Sequence, residues 1–234
     1  QKDFWDSQKS SIAIALDGEG KRCDVVSSNP GHLLATGILT EEQCKAVADH
    51  LMSKEMFCGW GVRTLSALEQ NYNPLSYHNG SVWPHDNALI AEGLSSLDRK
   101  EDAATILGAM LEVAKRTEDE RLPELFCGFS KQYSPDPIWY PVSCSPQAWA
   151  AASPFLMLNS MLGIQADLPR RRIKISHPYL PSWLGFVDIK DMHLGKSKVD
   201  LHFVRTGNVT TCTVLDKIGD IMVIVDQGDS PLPQ

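Results

Sequence analysis

After Gly163 the hydrophobic period of the chain changes from that of helices to that of strands, and this break requires a fold made of two unlike parts. Upstream, Thr40-Glu41-Glu42-Gln43 has the spacing of a capping box, and Cys44, Val47, Ala48, Leu51 and Met52 recur at helical intervals behind it. A second helix is predicted over residues 99–117, with Ala103, Ile106, Leu107, Met110 and Val113 on its buried side. A third begins near Ser145, Pro146 and Gln147, and its apolar residues fall on several faces, as in a helix buried among others. Downstream, short alternating runs such as RIKIS, VDIKDMHL, KVDLHFV and IMVIVD are separated by Gly-Lys, Gly-Asn and Gly-Asp turns, which predicts antiparallel strands. The expected domains are therefore a helical part over residues 1–165 and an antiparallel β appendage over residues 166–234.

The densest group of polar and aromatic side chains is SYHNGSVWPHDNALIA, residues 76–91, where a loop runs into the first turn of a helix. Pro84 suits the start of that helix and Ser81 is the expected N-cap. Tyr77, His78 and Asn79 stand just before the first turn, and His85, Asp86 and Asn87 stand in it, a composition suited to lining a polar pocket. Asp86 is favoured there by the helix dipole whatever its role, so it has a structural reading beside a catalytic one. His32, after the turn signal Asn29-Pro30-Gly31, reads most simply as a first-turn residue facing a pocket or water. In GWGVRTLS, residues 59–66, the glycines around Trp60 permit either an indole platform for a sugar ring or a Trp wedged in the core beside Arg63. In RLPELFCGF, residues 121–129, Glu124 sits among apolar neighbours. Such a carboxylate either pairs with an arginine such as Arg63 or Arg121, the commoner case, or is tuned for acid/base work. Residues 14–25 carry Asp-Gly and Glu-Gly turns between apolar runs and fit a hairpin or a helix-ending loop equally.

A net charge of −7 without any Lys/Arg run counts against nucleic acid and anionic membranes as partners. Nor does any apolar run approach the roughly 20 residues of a membrane span. The six cysteines have no CxxC pair and no Cys/His alternation, which reads as reduced, cytoplasmic thiols and neither a disulfide frame nor a metal site. No cofactor is implied.

Taken together and in order, SNPGHLL, GWGVRTLS, YNPLSYHNGSVWPHDNALIAEGL, LPELFCGF and YPVSCSPQAWAAASPFLMLNSMLGI resemble the C-terminal half of the bacterial amylo-alpha-1,6-glucosidase family, related to glycogen debranching enzymes. The resemblance implies a mainly α fold, part of an (α/α)6 toroid, with the β appendage at its end. It also implies inverting hydrolysis of α-glucosidic bonds in an α-glucan or oligosaccharide, which needs two carboxyl groups about 6.5–9.5 Å apart. Glu124 matches the family's catalytic base, with Asp86 a second, positioning carboxylate. Trp60, Arg63, Tyr77, His78, Asn79, Trp83 and Gln147 match the sugar subsite. The family's general acid lies upstream in a Trp-containing motif that has no counterpart here. The chain is therefore expected to be the C-terminal portion of such an enzyme, partnered by its N-terminal part or by self-association. The alternative is a non-catalytic carbohydrate-binding or assembly module derived from the same fold.

Overall fold

The computed structural model describes residues 3–226; the ends of both expected domains, residues 1–2 and 227–234, lie outside the described residues. The chain forms two compact units, Gln1–Met157 and Leu158–Gln234.

The first unit opens with a two-stranded ribbon, β1 (Trp5–Asp6) antiparallel to β2 (Ser11–Ile12). Residues 14–25 then form a tight hairpin. Asp17 Oδ1 accepts the backbone N–H of Glu19 and of Lys21, and Leu16 bridges Arg22. The turn signal at Pro30 becomes a 3₁₀ turn over Asn29–Leu33. Helix α1 (Glu41–Leu51) starts at the expected capping box: Gln43 N–H donates to Thr40 Oγ1 at 3.2 Å, and Thr40 N–H donates to Gln43 Oε1 at 3.0 Å. Helices α2 (Pro84–Ser96) and α3 (Lys100–Ala114) pack on each other, and Ile90 and Leu94 of α2 and Ile106 and Met110 of α3 are fully buried. The 3₁₀ turn also lies on α2, and two glycines allow the approach. A Cβ on Gly93 would meet the carbonyl oxygen of Gly31 at 2.9 Å, and one on Gly31 would meet Ile90 Cγ1 at 2.6 Å. This contact fixes where His32 sits.

Helix α2 begins differently from the sequence expectation. Its N-cap residue is Trp83, extended at φ −116° and ψ 122°, with no side-chain cap. Pro84 at the first helical position forces the residue before it out of the helical region. Ser81 instead donates its hydroxyl to the carbonyl of Tyr77 at 2.7 Å and accepts Trp83 Nε1–H at 2.9 Å. Asn87, with no exposed surface, does the fastening. Its Oδ1 accepts Val62 N–H at 2.7 Å, and its amide donates to the carbonyls of Val62 at 3.0 Å and Trp83 at 2.9 Å. Asn87→Ala strands two buried backbone groups of Val62, so we expect a loss of about 3 kcal/mol or more in a urea titration. A loss below about 1 kcal/mol would show that the neighbouring backbone re-pairs.

Helix α4 (Ala148–Leu162) crosses the division between the units. It is not buried on all sides: Ala150, Ser153 and Met157 face inward, whereas Trp149 is 48% and Phe155 76% exposed.

The second unit holds two sheets. In one, β3 (Ile164–Asp167) pairs antiparallel with β4 (Arg172–Ser176), and β4 pairs in parallel with β8 (Met222–Asp226). The other is a meander of β5 (Phe186–Leu194), β6 (Ser197–Thr206) and β7 (Val209–Ile218), all antiparallel. The central strand β6 turns Val199, Leu201 and Phe203 into the core, each with no exposed surface.

The expectation of a mainly α, partial (α/α)6 toroid is overturned. Among the described residues four helices make up 26% of the chain and strands in three sheets 25%. Residues 52–83 and 115–147 form no helix. Gly59, Gly61 and Gly80 take positive φ there, and the backbone pairs through isolated bridges: Arg63 with Val82, Val82 with Phe126, and Phe126 with Trp139. The appendage is not wholly antiparallel either, because β8 returns beside β4 in the same direction.

Candidate functional site

Those isolated bridges assemble the site. Val82 and Phe126 exchange both backbone hydrogen bonds, at 2.9 and 3.0 Å, which brings the loop before α2 alongside the Leu-Pro-Glu-Leu stretch. Cys127 N–H donates to Ile138 O at 2.9 Å and Glu124 N–H to Cys144 O at 3.0 Å, adding the aromatic, proline-rich connection as a third layer. Three segments far apart in sequence thus meet around one carboxylate.

Glu124 is only 7% exposed. Its Oε1 accepts the hydroxyl of Tyr77 at 2.7 Å, its Oε2 accepts the backbone N–H of Cys144 at 3.1 Å, and the side chains of Gln147 and Cys144 also donate to it. These donors outweigh burial and hold the carboxyl below its usual range, with the Tyr77 bond the largest influence. By the same bond Tyr77 is pushed up to about 12, so its proton stays in place as a donor. Neither arginine weighed as a partner pairs with Glu124. Arg121 lies 3.8 Å from Asp119, and Arg63 is spent on the backbone.

Aromatic rings surround this carboxylate. The Tyr77 ring meets His78, Trp83 and Tyr140 edge-on at centroid distances of 4.7, 4.9 and 5.4 Å. His85 stacks on Trp149 at 4.0 Å, with 13° between the planes, and stands edge-on to Trp83 at 5.6 Å. Burial, with a smaller contribution from His32, pushes the His85 pKa down against the opposing pull of Asp86 and Glu124. Asp86, 6% exposed, binds His32 Nε2 through Oδ1 at 2.6 Å, and this bond raises the pKa of His32. Asp86 Oδ2, His85 Nδ1 and Gln147 Oε1 are buried and have no protein partner among the described residues.

The structure thus groups Tyr77, Trp83, Glu124 and Gln147, with His78 at the exposed edge, and sets Asp86 one residue from His85 on the adjoining turn. Asn79 is exposed, and its backbone closes a turn with Ser76 and Asn73. Trp60 and Arg63 are not in the group. Trp60 is 1% exposed, with Arg116 and Lys131 at 4.9 and 4.5 Å from its ring. Arg63 is 4% exposed and donates to the carbonyls of Gly128, Glu55 and Lys54. For both, the core reading of the glycine-flanked segment is the one the geometry fits. Tyr140 and Trp149 were missed by sequence reasoning, although both lie in the aromatic connection ending in Gln-Ala-Trp.

Among the described residues no group of three or more His, Cys, Asp or Glu side chains is placed to hold a metal ion, and no helix is long and apolar enough to cross a membrane.

Glu124 is thus a buried, multiply hydrogen-bonded carboxylate with aromatic rings beside it. Residues 1–136 match the mannosylglycerate hydrolase MGH1-like glycoside hydrolase domain, and the chain belongs to that family. None of the curated proteins matches this chain. Among solved structures, the GH63 mannosylglycerate hydrolase from Thermus thermophilus in complex with glucose is 17% identical, over 67% of this chain and 34% of that one, with a TM-score of 0.54. A sialidase is 11% identical, over 91% of this chain and 21% of that one, with a TM-score of 0.67. These likenesses are of fold. The chain spans about a third of the hydrolase's length and about a fifth of the sialidase's. The family is a glycosidase family and not specifically the glycogen-debranching one.

Proposed function

We propose that the protein acts in the hydrolysis of an α-glucosidic bond with inversion, Glu124 serving as the general base that activates water. The observation that carries this reading is the setting of Glu124: buried, kept ionised by its hydrogen-bond donors, and faced by Tyr77, Trp83 and the His85–Trp149 stack. A base must be ionised, and a water beside the sugar would take the place of one of the two side-chain donors, Gln147 or Cys144, on the carboxylate. The aromatic walls supply apolar faces for the C–H surfaces of a pyranose, and Gln147 and His78 supply hydrogen bonds to hydroxyls. Asp86 positions the turn that carries His85. The general acid is assigned to a further segment of the same enzyme or to a partner chain, because the upstream motif that carries it in the amylo-alpha-1,6-glucosidases has no counterpart among these residues. The motif order favours an oligosaccharide of the glycogen-debranching kind, and six free cysteines support a cytoplasmic setting.

The test is hydrolysis of branched and linear maltooligosaccharides beside an α-mannoside, with the anomer of the released sugar followed by NMR. We expect β-glucose to appear first. Initial release of the α anomer would rule out inversion, and faster turnover of the mannoside would rule out the glucosidic assignment. Calorimetric binding with no turnover would favour the non-catalytic carbohydrate-binding module instead.

A further inference from the structure

A cavity of about 420 Å³ is lined in part by His32, the partner of Asp86. The ribbon contributes Phe4, Trp5, Ile12 and Ile14, and the turn and the chain leading to α1 contribute Leu33 and Ile38. Its size is that of a small-molecule site, and its character, mostly apolar with few polar groups, is that of one as well. The polar groups are His32, Asn29 and Gln43. His32 is the informative one. Its Nε2 is committed to Asp86 at 2.6 Å, and its Nδ1 has no protein partner among the described residues. Behind it, Asp86 is 6% exposed and its Oδ2 carries no protein partner, so the pair is not a finished structural salt bridge. Asp86 adjoins His85, which forms one wall of the site around Glu124.

We infer that this cavity binds a small ligand with an apolar, ring-sized body and one hydrogen-bonding polar group directed at His32. Phe4, Ile14 and Ile38 remain 40%, 48% and 54% exposed, so a ring seated among them removes apolar surface on both sides from water. Two sources share this chemistry: the leaving group of a glycoside, and a free aromatic alcohol. Only the first rests on the glycosidase reading.

Calorimetry with glucose, benzyl alcohol and benzyl α-glucoside separates them. Benzyl alcohol is expected to bind saturably, and Ile14→Asp or Ile38→Asp, both at half-exposed positions that leave the core intact, to weaken it about tenfold while glucose binding is unchanged. His32→Gln is expected to weaken it as well. A benzyl glucoside that binds more tightly than glucose by about tenfold, with the gain lost in Ile14→Asp, identifies the leaving group as occupant. Benzyl alcohol binding without that gain identifies a free ligand. Absence of saturable benzyl alcohol binding, or binding unaffected by both aspartate variants, overturns the site. Failure of glucose alone to bind bears on the sugar site and not on this one.

Discussion

Glu124→Gln is expected to lower the rate of glycoside hydrolysis about 10²–10⁴-fold while changing sugar affinity little, because Gln keeps the shape and the Tyr77 contact but cannot take a proton. The assay is steady-state turnover of the enzyme alongside sugar binding by calorimetry. Undiminished turnover would remove Glu124 from the mechanism. The pH profile gives an independent check. The folded-state pKa of Glu124 is depressed, so the carboxylate is ionised down to acid pH, and activity falls only as pH drops through that lowered value. Tyr77→Phe removes the largest cause of the depression, and the acid limb should therefore move to higher pH. The same sign governs stability: the contribution of the ionised carboxylate is present above its unfolded-state pKa and is lost as pH falls through the folded one. An acid limb unmoved in Tyr77→Phe would mean that another group sets it.

Gly128→Ala is expected to be the most damaging conservative change in the first unit. A Cβ there would lie 1.7 Å from the carbonyl oxygen of Gly80, a backbone atom that no rotamer change can move aside. The two segments must separate, and Gly128 is where they are tied. Its N–H donates to Pro74 O at 3.0 Å, and its carbonyl accepts Arg63 Nε–H at 2.7 Å and the Tyr72 hydroxyl at 3.1 Å. Overpacking of about 1–3 kcal/mol and three strained hydrogen bonds of about 1 kcal/mol each together give a loss of about 4–6 kcal/mol, read from a urea titration. Gly18→Ala, with nothing within 4 Å of the added carbon, is the control expected within about 0.5 kcal/mol of the parent. Equal midpoints for the two variants would show that the Gly80–Gly128 contact relaxes freely.

The elements legible in the sequence are those whose signals are local. The Thr40–Gln43 box and the period of α3 lie within single windows, as does the alternation of β6. The toroid is an expectation from resemblance alone, and the long middle segments carry no period of their own. What orders them is pairing between residues far apart in the chain, Val82 with Phe126 and Val62 with Asn87 on α2, and such pairing leaves no trace in a short window. The site divides along the same line. Glu124, Tyr77 and Gln147 came from motifs and lie together. Trp60 did not join them, because a glycine-flanked Trp has the same sequence signature as a sugar platform and as a core wedge. His32 and Asp86, 54 residues apart, meet only because Gly31 and Gly93 let a turn sit on a helix, and no sequence period announces that.

The Val82–Phe126 pairing also separates what is free to vary in this protein from what is not. Helices α2 and α3 leave from one paired residue and return to the other, so the whole helical hairpin hangs from two adjacent feet. Changes of length at its distal turn around Asp98, or in the exposed loop around Glu120, are expected to leave the span between Tyr77 and Glu124 unaltered, read from sugar binding by the variants. A single residue inserted between Tyr77 and Val82, or between Glu124 and Phe126, would instead change the span between Tyr77 and Glu124 directly, because only the Val82–Phe126 pairing sets it. The hairpin's length is thus uncoupled from the site, and the two short spacers beside its feet are the ruler that sets it.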